Sequence, residues 1–99
     1  MSTSALVLLD FYADWCAPCH RVSPMLEKLA DEFEGKIRLV KVDVDNDHAM
    51  ADKYEVYSLP TIILVLNGRE MERIIGAKSK DLYRAAITRS LRKNRPVKS

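Results

Sequence analysis

Apolar residues fall in blocks along the chain, and their spacing changes from block to block. Ala5 to Ala13 is nearly continuous apolar sequence broken by one carboxylate, Asp10, the pattern of a strand covered on both faces. From Pro18 to Phe33, Val22, Met25, Leu26, Leu29, Ala30 and Phe33 recur at helical spacing, and Gly35 marks the stop. Pro24 lies inside that pattern, where its missing N–H is expected to kink the helix. Ile37, Leu39, Val42 and Val44 alternate with polar residues to predict a second strand. Asn46 or Asp47 can cap a short helix over 48–54. Residues 61–66 are apolar or β-branched throughout, and Asn67-Gly68 after them is a two-residue hairpin signal that returns the chain along 70–75. Gly76 ends that strand, and Ser79 can cap a last helix whose apolar face is Leu82, Tyr83, Ala86, Ile87 and Leu91. The predicted order is β-α-β-α-β-β-α. It describes one α/β domain over 1–99, with a core at 5–92, a basic tail at 93–99 and a four-stranded mixed sheet flanked by helices. Crossover helices are expected to link parallel strands, and the hairpin to supply an antiparallel end.

Composition narrows the class. A chain of 99 residues can bury roughly two-thirds of its unfolded surface, enough for a core without staples. Gly and Pro are too few for a collagen-like or low-complexity chain. Five basic residues and no acids follow Thr88 (Arg89, Arg92, Lys93, Arg95 and Lys98), leaving eleven basic against fourteen acidic groups before them. With no aromatics interleaved, this end reads as a solvated helix terminus whose cations suit the dipole, and no nucleic-acid partner is expected. The apolar run 5–9 lacks a preceding basic stretch and a cleavage site, and no stretch reaches the roughly 20 apolar residues of a membrane span. A cytoplasmic chain with no membrane partner is expected.

The chemistry centres on Trp15-Cys16-Ala17-Pro18-Cys19-His20, which holds both cysteines of the chain. It stands where the first strand gives way to the first helix. Backbone N–H groups and the positive end of the helix dipole stabilise a thiolate there. A second thiol one turn away can displace whatever the first has captured, so the segment reads as a redox site. A cross-linked scaffold would instead need cysteines spread along the chain. Cys-x-x-Cys-His is also a haem attachment pattern, and two cysteines with His20 could begin a zinc site completed by the distant His48. Asp10, six residues before Cys16, would have its pKa raised by unpaired burial.

Taken together, the stretch Asp10-Phe11-Tyr12-Ala13-Asp14-Trp15-Cys16-Ala17-Pro18-Cys19, Pro24 in the helix, Val42-Asp43-Val44-Asp45, Leu59-Pro60-Thr61, and Asn67-Gly68 followed by Gly76 resemble the thioredoxin family over about residues 5–92. The resemblance favours the redox reading over haem or zinc. It implies the minimal thioredoxin fold, without the family's usual first strand and helix and with the strands ordered second, first, third, fourth. It implies a disulfide reductase in which Cys16 attacks a protein disulfide, Cys19 resolves the mixed disulfide, and Cys16–Cys19 is left oxidised. Asp10 would accept the Cys19 proton with Lys41 as its charge partner, and Pro60 would be a cis-proline facing the dithiol. Trp15, Ala17, Pro18, Leu59, Gly76 and Ala77 would join Pro60 in the client-binding surface, and Pro18 beside Cys19 accompanies reductants. A thioredoxin reductase or equivalent donor would recharge the protein for electron transport and redox homeostasis, with no metal and no cofactor. A monomer is expected, with an exposed second-strand edge as the alternative route to a homodimer. Competing readings are a scaffold with an incidental dithiol and an oxidant or isomerase. Ala17 for the usual glycine, His20 for Lys or Arg, Tyr12 for Trp and Ser58 for glycine are departures that bear on potential and partners.

Overall fold

A computed structural model describes residues 5–93, so Arg95 and Lys98 of the basic tail lie outside the described residues. The chain runs β1 (Leu6–Tyr12), α1 (Ala17–Glu32), β2 (Ile37–Asp43), α2 (His48–Lys53), β3 (Thr61–Leu66), β4 (Arg69–Ile75) and α3 (Lys80–Arg92). The local signals act as their chemistry dictates. Asp47 caps α2 by accepting from the Met50 N–H at 3.2 Å, and Ser79 caps α3 by accepting from the Leu82 N–H at 3.2 Å. Asn67 and Gly68 both adopt positive φ, the twist that a two-residue hairpin needs. Helix α1 runs through Pro24 without a break in its assignment. The ring sits on the exposed side of the helix, where water can serve the carbonyl that the missing N–H leaves free.

The strands are ordered β2-β1-β3-β4. One feature departs from the sequence expectation. Only β1 and β2 pair in parallel, whereas β3 runs antiparallel to both β1 and β4. The segment between β2 and β3, which carries α2, does not return along the sheet, so β3 starts at the end where β2 finished. The register shows the result, with Tyr12 beside Asp43, Phe11 beside Thr61, and Thr61 beside Ile75. The segments after β1, after β2, before β3 and after β4 all converge on this one end.

Alternate residues of β1 serve two cores. Leu6 and Leu8 pack with Val22, Leu26 and Leu29 of α1 and with Tyr83, Ala86 and Ile87 of α3. Leu9 and Phe11 pack with Val42, Ile63 and Val65, covered by Met50, Tyr54 and Val56 around α2. A strand buried on both faces needs near-continuous apolar sequence, which is why its one carboxylate stands out. Asp10 shares the face of Leu6 and Leu8, against α1.

Candidate active site

Cys16 is the N-cap of α1. Its backbone is extended, its N–H donates to the Ala13 carbonyl at 3.1 Å, and its sulfur accepts from the Cys19 N–H at 3.3 Å. Pro18 stands in the first helical turn, where an absent N–H leaves no hydrogen bond unmade. Cys16 and Cys19 are joined in a disulfide with Cα atoms 5.3 Å apart. The sequence placed Cys16 at an exposed helix start, but the residue is only 5% accessible and Cys19 only 2%. Both pack with Ala13, and Tyr12, Val44 and Leu59 close over them. The nucleophile candidate is thus recessed within an apolar rim. His20 donates through Nε2 to the Asp14 carbonyl at 2.7 Å, since a carbonyl can only accept, and so ties the first turn of α1 to the loop before Cys16.

Around the dithiol stand the segments that the sheet end collects. Leu59–Pro60 is cis. The Pro60 carbonyl accepts from the Gly76 N–H at 2.8 Å, which fixes two of the expected client-binding residues to each other. Tyr83 braces the next stretch: its hydroxyl donates to the Gly76 carbonyl at 3.2 Å and accepts from the Lys78 N–H at 3.1 Å. Thr61, buried, donates to the Ser58 carbonyl at 2.7 Å. Ahead of this loop, Glu55 adopts a positive φ, and Arg73 of β4 spans the chain to donate to the Tyr54 and Glu55 carbonyls at 2.6 and 3.1 Å. The turn after β2 is wound on Asp43, whose carboxylate accepts from the Asp45 N–H and the Asn46 amide.

That turn positions Asp45, whose Oδ2 accepts from the Trp15 indole N–H at 2.9 Å. Trp15 is nevertheless 71% exposed. It forms one wall of a groove of about 240 Å³, completed by Val44, Val56, Tyr57, Ser58 and Leu59. Tyr57 and Val56 were not singled out in the sequence, and Val44 was read only as part of the second strand and its motif. Tyr57 is 89% exposed, and a large ring so open beside Trp15 is a surface for contact rather than for packing. Its nearest sequence signal is its position three residues before Pro60. Ala17 and Ala77 are exposed, Pro18 and Gly76 half-buried and Pro60 buried, so the expected client-binding residues include both rim and floor.

Asp10, on the face of β1 that meets α1, has no solvent access. Its Oδ2 accepts from the Ser23 hydroxyl at 3.1 Å, and its Oδ1 has no partner among the described residues. Burial pushes its carboxyl above the ordinary carboxylate range, the Ser23 hydrogen bond and then the Lys41 charge pull it down, and Glu27 pushes it up. Lys41 is the register neighbour of Asp10 on β2, but its ammonium group is drawn elsewhere. Its Nζ lies 3.6 Å from Glu27 and 5.3 Å from the centre of the Tyr12 ring. Lys41 therefore acts on Asp10 through its field and not through a direct ion pair. Among the described residues, no group of three His, Cys, Asp or Glu side chains converges as a metal site would require.

The family model for thioredoxin matches residues 1–89. A thioredoxin of Staphylococcus aureus is 42% identical over 78 residues, covering 79% of this chain and 75% of that protein. The chain belongs to the thioredoxin family. Thioredoxin structures agree with the fold: that of Fasciola hepatica superposes with a TM-score of 0.81 at 38% identity over 88% of this chain and 82% of that one. Mitochondrial thioredoxin 3 of Saccharomyces cerevisiae, in its oxidised form, gives 0.79 at 35% identity over 87% and 79%. With the Cys16–Cys19 pair at the helix start, thioredoxin membership makes the protein a protein-disulfide oxidoreductase that works by dithiol–disulfide exchange. Among the described residues, no helix is long and apolar enough to cross a membrane.

The raised Asp10 pKa has a consequence for stability. A carboxyl harder to ionise when folded than when unfolded contributes stability below the unfolded pKa and loses it as pH rises through the folded one. Asp10→Asn, which removes the ionisable group at nearly constant shape, is expected to stabilise the protein at pH 7 by removing the cost of a carboxyl that burial makes harder to ionise. Urea midpoints should differ most at neutral pH and converge toward pH ~4.

Proposed function

We propose that the protein is a reductant of protein disulfides, with Cys16 as nucleophile, Cys19 as resolving thiol and Asp10 as proton acceptor. In the reduced protein, the Cys16 thiolate attacks one sulfur of a client disulfide. A Cys16–client disulfide forms, the client bond breaks, and one client thiolate leaves. Cys19 then gives its proton to Asp10 and attacks the Cys16 sulfur, forming Cys16–Cys19 and releasing the second client thiolate. The client gains two electrons, and the protein is left in the disulfide form. The observation that carries this reading is the placement of Cys16 as the N-cap of α1, with its sulfur already accepting a backbone N–H. Such an acceptor position favours a thiolate over a thiol.

Client recognition falls to Trp15, Ala17, Pro18, Leu59, Pro60, Gly76 and Ala77. The backbone at Leu59 offers strand-like pairing to an extended client segment, while the groove beside Trp15 receives a side chain. Lys41 assists by favouring the ionised form of Asp10 from a distance. The protein works as a monomer in a reducing compartment, the cytoplasm, without a nucleic-acid or membrane partner. A thioredoxin reductase or equivalent donor restores the dithiol, giving the protein a place in cellular electron transport and redox homeostasis. The charges of Lys36, just before β2, and of Arg38 and Lys41 within it oppose edge pairing between copies.

Turnover of a protein disulfide in glutathione redox buffers tests this reading. Wild type should reduce the client catalytically, Cys16→Ser should lose at least ~99% of that rate, the scale on which losing an essential nucleophile acts, and Cys19→Ser should accumulate the mixed disulfide. Equal activity in wild type and Cys16→Ser would falsify the enzyme reading in favour of a scaffold. A dithiol that stays reduced in oxidising buffer would mark an oxidant instead. Small-angle scattering should give a monomer mass that does not change with concentration.

A further inference from the structure

Ser23 supplies the hydrogen bond that Asp10 makes among the described residues, and the exchange chemistry above has no part for it. The residue follows Cys19 by four positions in α1, so the two side chains lie one above the other on the same helix face. The hydroxyl has a single proton and donates it to Oδ2. The two oxygens of Asp10 are thereby made different, one held and one without a partner among the described residues.

We propose that Ser23 is a positioning residue for the resolving step. Its hydroxyl anchors Asp10 through Oδ2 and leaves Oδ1 as the oxygen that receives the Cys19 proton. The inference rests on the reading of Asp10 as proton acceptor. A base must be ionised to act, and a carboxylate with no solvent access resists ionisation. Several groups face it. Glu27 of α1 opposes the charge, and Lys41 of β2 favours it but is drawn to Glu27. Tyr83 of α3, hydrogen-bonded to the Gly76–Lys78 loop, has a phenol held up by burial and, to a lesser degree, by the charge of Asp10. Cys19 of α1 is the proton donor itself, and Ile62, the β3 neighbour in register, carries no charge. Ser23 is thus the contact that most favours the ionised carboxylate. Without it, Asp10 would hold its proton to higher pH and the resolving step would stall there.

The test compares wild type with Ser23→Ala and Ser23→Thr in the full chain. Alanine is the strongest helix former and threonine keeps the hydroxyl, so neither variant should threaten the fold. Two quantities are read: the Asp10 carboxyl titration by carbon-13 NMR, and the pH dependence of mixed-disulfide resolution in single-turnover stopped flow. Ser23→Ala should move the Asp10 midpoint and the acid limb of the resolving rate upward together by about one pH unit, a tenfold slower step on that limb. Ser23→Thr should keep both near wild type. An Asp10 midpoint unmoved in Ser23→Ala, or moved equally in Ser23→Thr, overturns the proposal. Asp10→Asn separates the two layers. If it leaves the acid limb in place, the proton-acceptor reading falls and takes the Ser23 role with it. If it abolishes the limb while Ser23→Ala leaves it unmoved, the role of Ser23 falls alone.

Discussion

A carboxylate without solvent access, on an inner strand and against the helix that carries both cysteines, is the constraint to which the rest of the site answers. Asp10 belongs to a face otherwise filled by Leu6 and Leu8, and it meets one hydroxyl and no direct cation among the described residues. A chain selected only for stability would not keep it, since an unpartnered buried oxygen costs free energy that an apolar side chain would not. On the reading of Asp10 as proton acceptor its presence becomes intelligible, because Cys19, recessed to 2% accessibility, would lose its proton where water cannot readily carry it away. The stabilising core and the destabilising carboxylate are therefore parts of one arrangement: the core excludes solvent, and exclusion gives Asp10 its altered affinity for a proton.

Sheet topology brings the remaining parts to the same place. Strand β3 begins beside the end of β1, and Leu59, just before it, packs against the cysteines. Gly76 then follows from the β3–β4 hairpin and is tied to Pro60 through the backbone. Side chains from distant elements hold these loops: Arg73 the segment after α2, Tyr83 the segment after β4, and Asp45 the Trp15 ring. Such contacts span the sheet end rather than any single loop, which allows a surface made of loops to keep a fixed shape.

Much of this was legible in the sequence because it depends on local rules. The apolar run interrupted by Asp10, the Asn67-Gly68 hairpin, the Asp47 and Ser79 caps, and the strand-to-helix position of Cys16 each follow from spacing or from the chemistry of a single residue. The reversed direction of β3 was not legible, because the long segment between β2 and β3 could lead into the sheet from either end. The shift of Lys41 toward Glu27 was equally hidden, since their meeting depends on how α1 lies across the sheet. Cys16 reads as exposed from its place at a helix start, yet Tyr12, Val44 and Leu59 come from three segments to cover it. Ser23 carried a faint signal, its four-residue separation from Cys19, but its link to Asp10 crosses from helix to strand.

On the proposed function, the start of α1, and not the cysteine pair alone, makes Cys16 reactive. This claim can be tested on the reduced protein by following the rate of iodoacetamide alkylation at Cys16 against pH, with mass spectrometry assigning the site. A thiol activated by the helix end should titrate at least about one unit below the ordinary value of ~8.5. A midpoint at or above ~8.5 would contradict the claim, because the backbone N–H at the helix start would then confer no thiolate character.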